Sequence, residues 1–304
     1  MKQKKIVITG GTGFIGSNIA DRLKKVHDVT IFDLKKPVAN GLKFLKGNIN
    51  EYNDVKNCLQ GFDIVIHLAA SLGVINTEEN PVSTLDTNIF GTRNVLEACR
   101  VNKIKKIIFS SSSEIYGEPI KTPIEEKDGP IPITMYGISK LAAEEYIKSY
   151  SKNFGLKYTI FRLFNVYGDQ QEIAWVIPEF VTKAIKNKDI MIHGDGTQIR
   201  AFSHVSDVAK AFEFGLEKGN DEIINIGNNA EPISIKELAN KIIRISKSKS
   251  KIKFIPFKES KRNRNEIIVR IPSVEKAKKI LGFKPIVSLD AGLEKVIKYR
   301  KDKN

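Results

Sequence analysis

Apolar positions in this chain follow two periods that alternate along its length. Runs of strand length at residues 5–9, 29–33, 43–45, 64–67, 106–110 and 158–163 are nearly continuous in Val, Ile and Phe, which predicts strands buried on both faces. Between them, residues 14–25, 53–58, 88–102 and 136–153 carry apolar side chains at helical spacing. Strand followed by helix, repeated, predicts a parallel sheet with crossover helices. After residue 163 the elements shorten: a helix over 176–186, a strand over 190–193, and turns around Gly194–Gly196 and residues 227–229. The chain is therefore expected to divide into residues 1–164 and a smaller, interleaved α/β region over 165–304. A last helix is expected over 273–282, where Gly282 and then Pro285 stop it.

Composition narrows the function classes. With 304 residues, 41% hydrophobic and 28% charged, the chain has enough apolar content for a large core and is neither disordered nor collagen-like. No stretch approaches the roughly 18 uncharged apolar residues of a membrane helix. The opening Met1-Lys2-Gln3-Lys4-Lys5 runs straight into a short apolar stretch without a cleavable signal pattern, so a cytoplasmic location is expected. Cys58 and Cys99 have neither metal nor redox spacing, which argues against a disulfide framework and a metal cluster. The net charge of +15 comes mostly from scattered lysines. No zinc-finger, basic-zipper or aromatic RNA-binding stretch accompanies it, so it reads as a solvated surface rather than a nucleic-acid site.

The first candidate site is Gly10-Gly-Thr-Gly13-Phe14-Ile15-Gly16, which leaves the first strand and opens the first helix. In that context Gly10 allows the tight turn, Gly13 lets a pyrophosphate approach backbone, and Gly16 lets helix and sheet close together. Asp33 ends the second strand at the spacing where a carboxylate meets the adenosine ribose hydroxyls. A carboxylate there repels a 2′-phosphate, so the expected cofactor is NAD rather than NADP. Lys35 and Lys36 are the counter-argument. The expected fold is thus a Rossmann-type doubly wound sheet.

The second candidate site is Tyr136-Gly-Ile-Ser-Lys140, whose phenol and ammonium share one helix face. An ammonium beside a phenol favours phenolate and suits the tyrosine to general-base work on an alcohol. Upstream, a strand runs into Ser110-Ser-Ser112-Ser113-Glu114-Ile-Tyr116-Gly117, at the sheet end where parallel α/β proteins place ligands.

Together with His67-Leu68-Ala69-Ala70, Arg162-Leu-Phe-Asn165-Val-Tyr-Gly168, the stretch from Gly194 to Asp207, and Lys276–Pro285, these motifs resemble the extended short-chain dehydrogenases/reductases. Within that superfamily the resemblance is to the NAD-dependent nucleotide-sugar epimerases and dehydratases, and it covers essentially the whole chain. It implies Tyr136 as base, Lys140 as its partner and Ser112 as hydroxyl donor, with Ser113 beside the substrate. It further implies Phe14, Ile15, Leu68, Ala69 and Ala70 at the cofactor, with Asn48 and Ile49 at the adenine. Asn165 and Arg200 would meet the diphosphate of a nucleotide-sugar substrate, as would Arg262 or Arg264, whose register is open. Asn88 sits at a helix start as either a family residue or a simple cap. Trp175 would stack on the sugar or base, or pack in the core or as a helix cap. Arg270 could bind a substrate carboxylate.

The implied chemistry is oxidation at sugar C4 to a 4-keto intermediate. Epimerisation is the first reading. Dehydration or decarboxylation using Glu114, or net 4-oxidation, are the alternatives. Glu114 is the discriminating residue, with a merely structural role as the competing account. The preceding Ser113 stands where the commonest dehydratases have a second acid. A homodimer is expected through the helices beginning near Asn88 and Tyr136, with Leu141, Ala142, Tyr146 and Tyr150 facing either sheet or partner.

Overall fold

The computed structural model describes residues 2–37, 41–256, 258 and 267–303; the side chains of residues 74–76 are also left undescribed. The first half of the chain runs β1 (Lys5–Thr9), α1 (Phe14–Leu23), β2 (Asp28–Asp33), β3 (Lys43–Lys46), α2 (Tyr52–Cys58), β4 (Ile64–His67), α3 (Val74–Glu79) and α4 (Pro81–Leu85). A single π-helical stretch, Asp86–Phe90, then leads into α5 (Gly91–Val101), β5 (Lys106–Ser112), a 3-10 turn (Ser113–Tyr116), α6 (Met135–Phe154) and β6 (Lys157–Leu163). The second half runs β7 (Val166–Tyr167), α7 (Val176–Ile185), β8 (Ile190–His193), β9 (Ile199–Arg200), β10 (Ser203–His204), α8 (Val205–Gly215) and β11 (Glu222–Ile226). It closes with β12 (Ile233–Ser234), α9 (Ile235–Ser246), β13 (Ile252–Ile255), β14 (Val269–Arg270), α10 (Glu275–Leu281) and α11 (Leu289–Asp302).

Seven strands form one sheet in the order β11-β6-β5-β4-β1-β2-β3, every neighbouring pair parallel. The period of two along each strand sends alternate residues to opposite layers. Ile6, Ile8, Ile64, Ile66 and Ile108 pack with α1, α8 and α10. Val7, Val65, Ile107 and Phe109 pack with α2, α5 and α6. Each fully buried side chain of this size contributes about 1.5–3 kcal/mol, so both layers are needed and the sheet is doubly wound.

The expected division after residue 164 describes chain order better than space. β11 joins the main sheet beside β6, and α8 and α10 pack on its face. What remains of the second half has its own core, with Phe180, Val181, Ile190, Leu238, Ile242 and Leu293 among its residues. The parallel pair β8–β13 and the strands β12-β9-β14 border it. Sequence periodicity did not identify α8, α9, α11 or β11. It also began the fifth helix early, at residue 88, because apolar spacing continues through the π-helical stretch into α5.

Candidate active site

The glycine turn lies at the C-terminal edge of the sheet. Gly10 has φ +70°, and a Cβ there would lie 2.6 Å from the Ala69 nitrogen. A Cβ on Gly16 would lie 2.4 Å from the Gly10 carbonyl oxygen. The two glycines therefore let α1 and the end of β4 press against the turn, leaving backbone where side chains would otherwise stand. Gly13 is the N-cap of α1 with no side-chain cap, and no acidic residue stands in the first turn. The amide groups there suit an anion. The Asp33 carboxylate accepts from the Thr12 amide at 3.1 Å and from the Lys35 amide at 3.4 Å. It therefore stands at the rim of the turn, where ribose hydroxyls would be read. Ala69 donates to Thr9 Oγ1 at 3.3 Å and Leu68 to the Thr9 carbonyl at 3.1 Å, which seats the end of β4 beside β1. Phe14 and Ile15 are half-buried on the first turn of α1. Ile49 is buried against Gly91 and so presents only backbone, while the Asn48 side chain accepts from the Asn50 amide at 3.1 Å. These residues fit a dinucleotide.

β5 and α6 bring the second motif together. Thr134 caps α6 by accepting from the Gly137 amide at 3.0 Å. A Cβ at Gly137 would lie 2.8 Å from the Glu114 carbonyl oxygen. This glycine thus lets the first turn of α6 approach the 3-10 turn after Ser112. The Ser112 side chain lies beside the Tyr136 phenol, close enough to favour its ionised form. Lys140 Nζ donates to the Ser110 carbonyl at 2.8 Å and lies 5.6 Å from the Tyr136 ring centre and 4.8 Å from that of Phe109. Ser112, Tyr136 and Lys140 therefore converge as expected.

Their electrostatics differ from expectation. Burial pushes the Tyr136 phenol above its ordinary value and the Glu114 carboxylate adds to this, while the Ser112 side chain opposes both. Burial lowers Lys140 to about 7, with Glu144 opposing. The expected depression of the phenol by its lysine is thus corrected: enclosing both groups favours their neutral forms, and a nearby carboxylate repels phenolate.

Glu114 is held by a partner that backbone or serine contacts would not have supplied. Its Oε1 lies 2.7 Å from Arg270 Nη1, and its Oε2 accepts from Thr134 Oγ1 at 3.4 Å. Arg270 Nε is buried without a hydrogen-bond partner among the described residues. Arg270 comes from β14, where it pairs in register with Arg200 on β9, so two arginines stand on neighbouring strands. Arg200 is itself buried, with Nη1 donating to the carbonyls of Ile199 at 3.0 Å and Ile268 at 3.2 Å. Asn165 has φ +34°, and its side chain donates to the Ala201 carbonyl at 3.4 Å. Ser113 is buried within the 3-10 turn. Arg262 and Arg264 lie outside the described residues.

Two open alternatives narrow. Asn88 is not a helix cap: it accepts from the Ser71 amide at 2.7 Å and donates to the Ser71 carbonyl at 3.0 Å and to Ser139 Oγ at 2.9 Å. It thereby fastens the loop after β4 to α6. Trp175 stands at the N-cap position of α7 and is 36% exposed, so it is not a core residue. Thr134 was missed as a site residue. Its signal was present in the sequence, a threonine two residues before Tyr136 where an N-cap belongs.

Comparison with known proteins agrees with this geometry. The family described as NAD dependent epimerase/dehydratase matches residues 6–227. The chain is 39% identical to a putative UDP-glucose 4-epimerase of Methanocaldococcus jannaschii, over 98% of this chain and 99% of that one. It is 38% identical to a UDP-N-acetyl-alpha-D-glucosaminuronate decarboxylase of Bacillus cytotoxicus, over 98% of both. Among solved structures, a UDP-glucose 4-epimerase of Thermotoga maritima with UDP-glucose superposes with a TM-score of 0.93 at 31% identity, covering 98% of this chain and 99% of that one. With its glycine turn, Asp33 and the Ser112–Tyr136–Lys140 cluster in place, the chain belongs to the NAD-dependent epimerase/dehydratase family.

Proposed function

We propose that this enzyme is a nucleotide-sugar 4-epimerase acting on a uridine-diphosphate sugar. The observation that carries the reading is the meeting of Tyr136 with Ser112 at the end of β5, over Lys140. Tyr136 takes the proton from the sugar C4 hydroxyl, while Ser112 holds the same oxygen from its other side. When bound, NAD would supply reversible hydride transfer at C4. Lys140, when protonated, stabilises the phenolate. Arg200 and Asn165 would meet the diphosphate and hold the nucleotide while the sugar turns over; guanidinium geometry suits that task. Tyr136 then gives its proton back to the C4 oxygen as the inverted alcohol re-forms, which completes the epimerisation.

A second reading is favoured by the Glu114–Arg270 pair. With C4 oxidised, a C6 carboxylate is β to the ketone and carbon dioxide leaves readily. Arg270 could hold such a carboxylate by exchanging Glu114 for the substrate, and its unpartnered Nε offers a second donor. Dehydration is less favoured, because Ser113 supplies no carboxylic acid for a departing C6 hydroxyl.

The test is to incubate the enzyme with UDP-glucose, UDP-N-acetylglucosamine and their uronic acids, following products by mass and NMR. An unchanged mass with inverted C4 supports epimerisation. Loss of carbon dioxide from a uronic acid supports the second reading and overturns the first. In either case Tyr136→Phe keeps the ring but removes the base, so turnover is expected to fall about 10²–10⁴-fold with nucleotide-sugar binding nearly intact. Turnover comparable to the wild type would remove Tyr136 from this role.

A further inference from the structure

Behind the catalytic cluster lies a buried ion pair that the chemistry above does not use. Glu144 on α6 and Arg162 on β6 meet at 2.7 Å, with side-chain exposures of 0% and 5%. Glu144 Oε1 also accepts from Ser111 Oγ at 2.5 Å and from Arg162 Nε at 3.0 Å. Arg162 Nη1 donates to Tyr116 Oη at 2.8 Å and to the Glu126 carbonyl at 3.2 Å. Tyr116 Oη in turn donates to Asn225 Oδ1 at 2.7 Å, and Asn225 Nδ2 donates to the Ile124 carbonyl at 3.0 Å. Ile124 exchanges backbone hydrogen bonds with Ile271 and Ser273, the segment that follows Arg270.

Several ends of this network stop within a helical turn of a functional residue. Lys140 is one helical turn before Glu144 on α6, Ser112 follows Ser111 on β5, and Glu114 precedes Tyr116 by two residues. Arg270 immediately precedes Ile271.

We propose that Glu144, paired with Arg162, is a positioning residue for the catalytic centre, holding Lys140 and the Ser110–Ser112 strand end in one frame. This rests on the reading that Lys140 serves the reaction. A salt bridge buried this completely is seldom needed for stability, since apolar residues of like size often serve as well. Its position gives it a further task. The groups facing Lys140 are Tyr136 and Glu144 on α6, the Ser110 carbonyl and Phe109 on β5, and His67 on β4. His67 is neutral at working pH, because burial lowers it to about 3. Glu144 is thus the carboxylate among these groups that favours a charged Lys140, and Arg162 holds its oxygens in place.

The test is an NMR titration of the Lys140 amino group in 15N-lysine-labelled protein, assigned by its loss in Lys140→Arg, and it needs no substrate. Glu144→Gln should move the Lys140 midpoint down by about one unit or more. Arg162→Met frees the carboxylate from its partner and should move the midpoint up. Should either single variant fail to fold, the double variant Glu144→Gln/Arg162→Met, which leaves no charge buried alone, should still show a lowered midpoint. An unmoved Lys140 midpoint in folded Glu144→Gln, or in the double variant, overturns the proposal. Because the titration is independent of turnover, failure of the enzyme on every sugar offered would count against the proposed function and leave this measurement decisive.

Discussion

Tyr136 and Lys140 show how one burial acts oppositely on an acid and a base. Both neutral forms are favoured, so the phenol rises while the amine falls to about 7. For Lys140 this has a consequence for stability. Below about pH 7 both folded and unfolded chains hold the proton; between there and the ordinary value of 10.5 only the unfolded chain does. The unfolded state then binds more protons, so the Lys140 contribution makes the cofactor-free protein more stable as pH rises through that window. Lys106, lowered by burial to about 8, adds the same trend elsewhere. Comparison with Lys140→Met isolates the active-site contribution. The stability of that variant relative to wild type should be greatest near about pH 6 and shrink toward about pH 10, read from urea midpoints. A difference that stays constant across that range would show that Lys140 titrates normally.

At the scale of elements, the cofactor turn depends on approach distances that a single methyl closes. Gly16 sits where a Cβ would meet the Gly10 carbonyl oxygen at 2.4 Å and the Gly11 Cα at 2.7 Å. Both are backbone atoms and neither can rotate away. Gly16→Ala must therefore push α1 off the turn, and is expected to cost about 1–3 kcal/mol of stability, as overpacking does. Displacing the helix N-terminus should also weaken NAD binding, which isothermal calorimetry would measure. Binding and melting temperature both equal to wild type would show that the turn tolerates the methyl. The same reasoning explains why the glycine motif was legible: it is a local pattern whose meaning follows from its place between a strand and a helix. The π-helical stretch before α5 was not legible, because its cause is tertiary. Asn88 turns inward to tie the loop after β4 to Ser139 of α6, and no local spacing encodes that contact.

For the whole molecule, the expected homodimer remains a proposal whose surface can now be named more narrowly. Tyr146 and Tyr150 pack against the core beneath α6, and Tyr150 Oη donates to Glu97 at 3.3 Å, so these residues join α5 and α6 to each other and to the sheet. The exposed apolar side chains left around this helix pair include Phe90, Val101, Met135, Ile138 and Phe154, of which Phe90 and Phe154 are the most exposed, at 53% and 55%. We expect light scattering to report a dimer at micromolar concentration, and Phe154→Asp together with Phe90→Asp to dissociate it. A wild-type monomer would reject the proposal. Among the described residues no helix is long and apolar enough to cross a membrane, in accord with the hydropathy of the chain.

What the sequence determined by itself was whatever lies close together along the chain: the alternation of strand and helix, the glycine turn with Asp33, and the Tyr136–Lys140 pair on one helix face. Such features carry their geometry in their spacing, because helix and strand periods are fixed by the backbone. Tertiary structure alone decided what is distant in sequence. β11 returns to the main sheet from beyond residue 220 and pairs in parallel with β6 at its edge, a partnership that no local spacing encodes. Arg270 reaches Glu114 across more than half the chain, and Arg162 reaches Glu144 from the next strand. The charge state of Lys140 was equally hidden. Spacing places an ammonium near a phenol, but only packing reveals how far burial favours the neutral form of each, and in this site desolvation is the largest influence on both.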